Sequence, residues 1–123
     1  IISQKTAIKK VLKMKVTDIV EKLNLKVFSG HEGLGAEITG GYASDLLSDV
    51  MGHAEAGAVW VTIQTHRNVM AIASLRDLSA VIITCGEKPG DDTMTQSNEE
   101  AIPVLGTDLS TFELAGRLHA ILR

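Results

Sequence analysis

Apolar residues are most densely grouped between Ala58 and Gly86. Two apolar runs rich in β-branched residues, Ala58–Gln64 and Ala80–Gly86, flank a segment with helical spacing of its apolar residues. Continuous runs are typical of parallel strands, because such strands are buried on both faces of their sheet and need not alternate. The connection is long enough for the crossover that parallel strands require. We therefore predict two parallel strands and a crossover helix. The inner face of that helix is predicted to consist of Val69, Met70, Ile72 and Ala73.

The residues before this unit predict shorter elements. Thr17 is a suitable N-cap for a helix that ends near Asn24. A short strand is predicted over Lys26–Ser29. A second short strand over Glu37–Gly41 is followed by a helix that we expect Ser44 to cap.

The residues after the unit predict a helix, a strand and a final helix. Asp91 or Asp92 is expected to cap a mostly polar helix that continues through Glu100, and a strand is expected over Ile102–Leu105. Pro103 favours an edge position for this strand, or a place among its first residues. Ser110 and Glu113 have the spacing of a capping box, which predicts the start of the last helix. Together these patterns predict an α/β fold with a small, mainly parallel sheet built from β-α-β units and covered by helices.

The composition agrees with an ordinary globular domain. The chain has 123 residues, of which 45% are hydrophobic and 22% are charged, which is enough for one domain with an aliphatic core. The net charge of −3 argues against a nucleic-acid surface. The single cysteine excludes an internal disulfide and fits a reducing compartment. No apolar run approaches the roughly 20 residues of a membrane span, so we expect a cytoplasmic protein without membrane or nucleic-acid partners.

The first thirteen residues differ from the rest of the chain. Ile1–Lys13 carries four lysines and no acid. One interpretation is a basic arm that contacts a membrane or a partner. The other, which we favour, is a loosely packed leader with Met14 as the natural start. We therefore separate this segment from a domain that covers 14–123.

The carboxyl ends of the two central strands are the expected place for a ligand, since open parallel sheets bind ligands there. Arg67 stands at such a carboxyl end, where a guanidinium can hold a phosphate or carboxylate with two hydrogen bonds. A structural salt bridge or a dimer contact is the alternative role for Arg67. The candidate ligand-binding residues are Thr65, His66, Arg67, Thr84, Cys85 and Gly86.

Other chemistry has weaker support in the sequence. Cys85 is a candidate nucleophile with His66 as its base, against the alternative of a small thiol that packs as an apolar residue. His31 and His53 each have a glutamate nearby, but neither pair has the spacing of a zinc helix. No standard nucleotide-binding glycine motif is present. We therefore expect no metal and no cofactor.

The positions of Arg67 and of the Thr84-Cys-Gly86 stretch resemble the DRTGG domain family, which is named for an Asp-Arg and a Thr-Gly-Gly at these two places. The resemblance covers roughly Met14 to Arg123. His66 stands where the family has Asp, and Cys85 stands where it has the first Gly.

This resemblance implies a regulatory or dimerising module. The family occurs in inorganic pyrophosphatases that carry nucleotide-binding CBS domains and in some phosphate acetyltransferases. A related fold forms the amino-terminal domain of HPr kinase/phosphorylase. We therefore predict a non-catalytic homodimer that binds a small anionic, nucleotide-like ligand or a partner enzyme. The alternative function is a small enzyme that uses Cys85 with His66.

Overall fold

Helices and strands alternate along the chain in a computed structural model, which describes residues 13–123. The helices are α1 (Val16–Leu23), α2 (Leu47–His53), α3 (Asn68–Leu75), α4 (Asp91–Glu100) and α5 (Thr111–Leu122). The strands are β1 (Lys26–Ser29), β2 (Gly40–Ala43), β3 (Ala58–Thr62), β4 (Ala80–Ile83) and β5 (Val104–Gly106). Apart from Lys13, the predicted basic segment lies outside the described residues.

The five strands form one sheet in the order β1-β5-β4-β3-β2. Strands β2 to β5 are parallel, and β1 is antiparallel to β5. The central pair is in register from Val59 opposite Ala80 to Thr62 opposite Ile83. The predicted α/β class, the mainly parallel sheet and the central β-α-β unit are therefore confirmed.

Each face of the sheet carries its own apolar cluster. On one face, Trp60 of β3 and Val81 of β4 pack with buried residues of α2 and α3. On the other, Val59 and Ile82 pack with α1 and α5. Helix α4 contacts α3 and β1, as expected from right-handed crossovers that place α2, α3 and α4 on one face. In residues 13–123, no helix combines the length and apolarity that crossing a membrane would need.

The faces of the predicted helices agree with the structure. The four residues assigned to the inner face of α3 are all buried. Leu114 and Leu118 are the buried residues of α5. The N-terminus of α5 has the serine half of the predicted capping box, because Ser110 Oγ accepts the N–H of Glu113 at 3.2 Å. The Glu113 carboxylate pairs with Arg117 instead of accepting the Ser110 N–H.

The predicted start of α1 is wrong by two residues. The helix begins at Val16, and its N-cap is Lys15 rather than Thr17. The Asp18 carboxylate accepts the Lys15 N–H at 2.8 Å, which satisfies a donor at the helix N-terminus. The helix ends at Asn24, as predicted, and Asn24 adopts the left-handed conformation.

Strand β2 begins three residues later than predicted, and helix α2 begins two residues later. β2 begins at Gly40, because Glu37 instead forms an isolated antiparallel bridge with Lys15. Ser44 Oγ accepts the N–H of Leu46 at 3.2 Å. That bond shapes the turn before α2, so Ser44 is not the helix N-cap.

The predicted edge position of the proline-containing strand is wrong. β5 is an interior strand between β1 and β4. Pro103 immediately precedes its first residue, close to the alternative prediction, and the Pro103 carbonyl accepts the N–H of Val81 at 2.9 Å. A proline is tolerated beside an interior strand here because its missing N–H falls before the ladder begins.

Candidate functional site

A crevice opens at the carboxyl edge of the sheet between β4 and β5. The chain continues from β4 to α4 on one face, and from β5 to α5 on the opposite face. Ligands of open α/β sheets bind outside the carboxyl ends of the strands, at the point where the connections diverge in this way. The structure has a cleft of about 390 Å³ at this position.

The cleft between β4 and β5 carries both signs of charge and one aromatic ring. Its walls come from the loops after β4 and β5, from β1 and from the facing surface of α5. Its charged and aromatic lining residues are Lys26, Phe28, Glu87, Lys88, Asp108 and Arg117. Cations outnumber carboxylates by one among these residues, which favours an anionic ligand.

The ring of Phe28 lies against β5. A Cβ atom on Gly106 would collide with the edge of this ring, so only glycine permits the contact. The Lys26 Nζ lies 5.5 Å from the ring centroid, within the range of a cation–π interaction. Antiparallel pairing of β1 with β5 therefore brings an aromatic surface and a positive charge to the cleft.

A tight turn over Thr84–Glu87 borders the cleft. Its central residues both have positive φ, 61° at Cys85 and 72° at Gly86. The Glu87 N–H donates to the Thr84 carbonyl at 3.2 Å and closes the turn. Glycine adopts this conformation freely, whereas a residue with a Cβ pays about 1–2 kcal/mol. The turn thus favours glycine at both central positions, and in this chain one of the two is Cys85.

The backbone of this turn is bonded inside the protein. The Cys85 N–H donates to the Leu109 carbonyl at 2.8 Å, and the Gly86 N–H donates to the Thr107 carbonyl at 2.9 Å. Thr84 is buried, and its hydroxyl oxygen lies 2.6 Å from that of Thr111. The backbone donors at Cys85 and Gly86 are therefore already used, so an anion in the cleft would meet side chains.

The residues after β3 lie at the neighbouring exit of the sheet. The Thr65 carbonyl accepts the hydroxyl of Thr93 at 2.9 Å, and the Gly90 N–H points to the same oxygen at 3.4 Å. His66 Nδ1 accepts the Asn68 N–H at 3.2 Å, at the start of α3. The bonds to the Thr65 carbonyl join the loop after β3 to the N-terminal end of α4.

Arg67 is exposed and directly precedes α3. The ion pairs found within residues 13–123 do not include it. Its guanidinium is thus not held in an ion pair by a carboxylate of the described chain.

The six predicted site residues fall into three groups. Gly86 lines the cleft, Thr84 and Cys85 form the turn beside it, and Thr65, His66 and Arg67 lie at the exit of β3. All six follow the carboxyl ends of neighbouring parallel strands. The main lining residues of the cleft were not predicted. Only Lys88, two residues beyond Gly86, had a signal in the sequence that would have found it.

Cys85 and His66, the nucleophile and base of the alternative enzyme hypothesis, are not joined by a hydrogen bond. Within the described range 13–123, no hydrogen bond joins the Cys85 thiol to the His66 ring, and His66 Nδ1 accepts the Asn68 N–H. The same residues contain no group of three or more His, Cys, Asp or Glu side chains that could hold a metal ion.

A separate polar cluster lies at the opposite edge of the sheet, on β2 and α2. The Tyr42 hydroxyl donates to Asp49 Oδ2 at 2.9 Å. This bond lowers the pKa of Asp49 and raises the pKa of Tyr42. His53 Nδ1 lies 3.2 Å from the other carboxylate oxygen. These three residues lie away from the cleft, because β1 lines the cleft and β2 is at the opposite edge of the sheet.

Comparison with known proteins agrees with this architecture. No curated protein matches the sequence. The fold is similar to the crystal structure of the CBS and DRTGG domains of the regulatory region of Clostridium perfringens pyrophosphatase, complexed with the activator diadenosine tetraphosphate. The TM-score is 0.66 at 16% identity, over 85% of this chain and 45% of the other. The present chain therefore spans less than half of that region.

The family comparison covers nearly all of the described residues. The model of the DRTGG domain matches residues 18–121. That range contains every element from α1 to α5 except the first two residues of α1 and the last of α5. It also contains Arg67 and the Thr84–Gly86 turn. The chain belongs to the DRTGG domain family.

Proposed function

We propose that this chain is a non-catalytic regulatory module that binds a small anionic, nucleotide-like ligand at the carboxyl edge of its sheet. The observation that carries the proposal is the cleft between β4 and β5, which the Thr84–Glu87 turn borders and three cations line. Membership of a family of regulatory domains supports the role. The nucleotide activator bound to the clostridial regulatory region supports the ligand class.

The predicted site residues have distinct roles in this proposal. Gly86 forms part of the cleft wall, and the Thr84–Cys85 backbone fixes the turn that supports it. Arg67, with Thr65 and His66, stands one strand away, and neighbouring strands are only about 4.8 Å apart. A guanidinium is long enough to contact an anionic group that extends from the cleft, and its fork of N–H donors suits phosphate.

A thermal-shift screen of nucleotides and small phosphorylated metabolites tests the proposal. The wild-type chain should be stabilised by at least one anionic compound. Arg67→Ala should weaken the binding of that compound about tenfold or more, since a charge-assisted contact is worth roughly 1.5–3 kcal/mol. Arg123→Ala is the control, because it removes the same charge from the C-terminal end of α5, away from the cleft.

The outcomes separate the parts of the proposal. An affinity that Arg67→Ala leaves unchanged would remove Arg67 from the site but retain the ligand. The absence of any stabilising anion from the whole screen would contradict the ligand-sensing role.

We also propose that the module acts in the cytoplasm as a homodimer, alone or with a partner enzyme. Exposed apolar side chains support a contact surface. Leu46 after β2 is 64% exposed and Phe112 at the start of α5 is 89% exposed. Sedimentation equilibrium should give twice the mass of the chain, and Phe112→Ser should shift it toward the monomer. A wild-type monomer at high protein concentration would contradict the dimer.

A further inference from the structure

We propose that the cleft between β4 and β5 is a nucleoside monophosphate site. In this site Lys88 and Arg117 hold the phosphate, Asp108 and Glu87 accept ribose hydroxyls, and the base contacts Phe28. This inference rests on the proposed function and specifies its ligand class and its residues. It adds five contacts that the sequence motif does not contain.

The cations of the cleft lack strong internal partners. The ion pairs within residues 13–123 include neither Lys26 nor Lys88. Arg117 has only Glu113, at 3.7 Å on an exposed helix face, and such pairs constrain a side chain weakly. Three cations around one cleft of a chain with net charge −3 form a local positive site. A phosphate would neutralise them and accept their hydrogen bonds.

The carboxylates make the cleft selective among phosphates. Glu87 and Asp108 line the same space as the cations, and they would repel a bare anion that filled it. A carboxylate is a strong acceptor for hydroxyl groups, as in the ribose contacts of dinucleotide-binding sheets. The lining therefore fits a phosphate that is attached to a sugar better than inorganic phosphate or pyrophosphate.

The size of the cleft and its ring favour a single nucleotide. A volume of about 390 Å³ lies near the lower end of the 300–1,000 Å³ range typical of ligand pockets. Phe28 is one of only four aromatic residues in the chain, and it lies in this cleft. Contact between a base and an aromatic side chain contributes roughly as much as a charge contact, which gives a nucleotide an advantage over a sugar phosphate.

Calorimetric titration at low salt tests the site with four probes: adenosine monophosphate, ribose 5-phosphate, adenosine and inorganic pyrophosphate. Adenosine monophosphate should bind most tightly. Lys88→Ala and Arg117→Ala should each lower the affinity for adenosine monophosphate about tenfold. Lys22→Ala is the matched control, because it removes an exposed lysine of α1 that does not line the cleft, and it should change the affinity less than twofold.

A second variant tests contact with the base. Phe28→Leu should weaken adenosine monophosphate about fivefold or more while leaving ribose 5-phosphate unchanged. The unchanged probe shows that this variant is folded and that its phosphate site is intact. Equal losses for both probes would contradict base recognition.

Other outcomes separate this inference from the proposed function. If the affinity for adenosine monophosphate falls only in Arg67→Ala, the cleft is not the site, but the chain remains a nucleotide-binding module. Pyrophosphate that binds as tightly as the nucleotide would overturn the ligand class. If no probe binds while the thermal-shift screen finds another anion, the nucleotide assignment fails alone. If the screen also fails, the proposed function falls with it.

Discussion

Two neighbouring strands share an exit, the place at the carboxyl edge where the chain leaves both of them. The exit of β3 and β4 differs from the exit of β4 and β5, although all three strands are parallel and end at the same edge. The chain leaves β3 and β4 for helices on the same face, and the two loops bond to each other through the Thr65 carbonyl and Thr93 hydroxyl. The chain leaves β4 and β5 for helices on opposite faces. The backbones of these two loops bond from Cys85 to Leu109 and from Gly86 to Thr107, and a cleft lies beside this contact. An exit whose helices lie on one face is thus filled by side-chain bonds, whereas the exit whose helices lie on opposite faces is open, with a charged cleft beside its backbone contact.

The exits of β2 and β3 follow the same rule. Both strands lead to helices on one face, and the Asp45 carboxylate after β2 accepts the hydroxyl of Thr62 at 2.9 Å and the N–H of Ile63 at 2.8 Å. Polar groups at the filled exits are therefore used for internal bonds. At the open exit the backbone donors of Cys85 and Gly86 are bonded as well, but the ion pairs within residues 13–123 leave out Lys26 and Lys88 on the cleft walls.

The largest expected effect concerns the floor of the open exit. Gly106→Ala places a Cβ against Phe28 and displaces the ring, so the free energy of unfolding should fall by about 2–3 kcal/mol, a typical cost of overpacking. Gly116→Ala is the control, because nothing lies within 4 Å of a Cβ at that helical position. Urea unfolding of both variants measures the difference. Equal stability of the two would contradict the packing of Phe28 on β5.

The filled exit should depend on its internal bond. Thr93→Val removes the hydroxyl that donates to the Thr65 carbonyl and should cost about 1–1.5 kcal/mol, with no change in ligand affinity at the cleft. Thr95→Val on the exposed side of α4 should cost less. Weaker nucleotide binding in a folded Thr93→Val variant would show that the ligand uses the filled exit instead.

Opposite changes at the turn should have opposite effects of about 1 kcal/mol or less. Cys85→Gly removes the Cβ from a left-handed residue and should stabilise the chain by about 0.5–1 kcal/mol, net of the greater freedom of the unfolded glycine. Gly86→Ala should destabilise it, because φ is +72° and the new Cβ would lie 3.2 Å from Asp108 Oδ1. The same sign in both variants, measured by urea unfolding, would contradict the left-handed turn.

The smallest effect concerns the far edge of the sheet and acid pH. The hydrogen bond from Tyr42 lowers the pKa of Asp49, so this carboxylate stabilises the fold above its unfolded pKa of about 3.9. That contribution is lost as the pH falls through the lower folded pKa. Tyr42→Phe should raise the pKa of Asp49 in an NMR titration and leave the cleft unaffected. An unchanged Asp49 pKa would contradict the bond.

Local patterns were sufficient to predict most of the fold. The apolar runs at Ala58 and Ala80 predicted buried parallel strands, and the capping residue Ser110 predicted the last helix. The error at Thr17 arose because the Asp18 side chain bonds to the Lys15 backbone. The error at Ser44 arose because its hydroxyl bonds to the Leu46 N–H, in the turn before the helix. Pro103 was misjudged because the absence of an N–H excludes a residue from the ladder but does not locate its strand.

The site was harder to predict, since it depends on contacts between distant parts of the chain. Lys26 and Phe28 reach the cleft only because β1 pairs with β5, about 80 residues further along the chain. Arg117 reaches it only because α5 lies on the face opposite α4. Thr84 has the right position in the sequence, but its side chain turns inward to Thr111. Spacing along the chain contains none of these relations.

The central claim is that the ligand binds at the open exit and not at the filled one. Titration of ¹⁵N-labelled protein with adenosine monophosphate, followed by ¹H–¹⁵N correlation spectra, tests it directly. The largest shifts are expected at Lys26, Lys88 and Asp108, with smaller shifts at His66 and Arg67. Shifts confined to Thr65–Asn68, with the residues of the cleft unchanged, would contradict it.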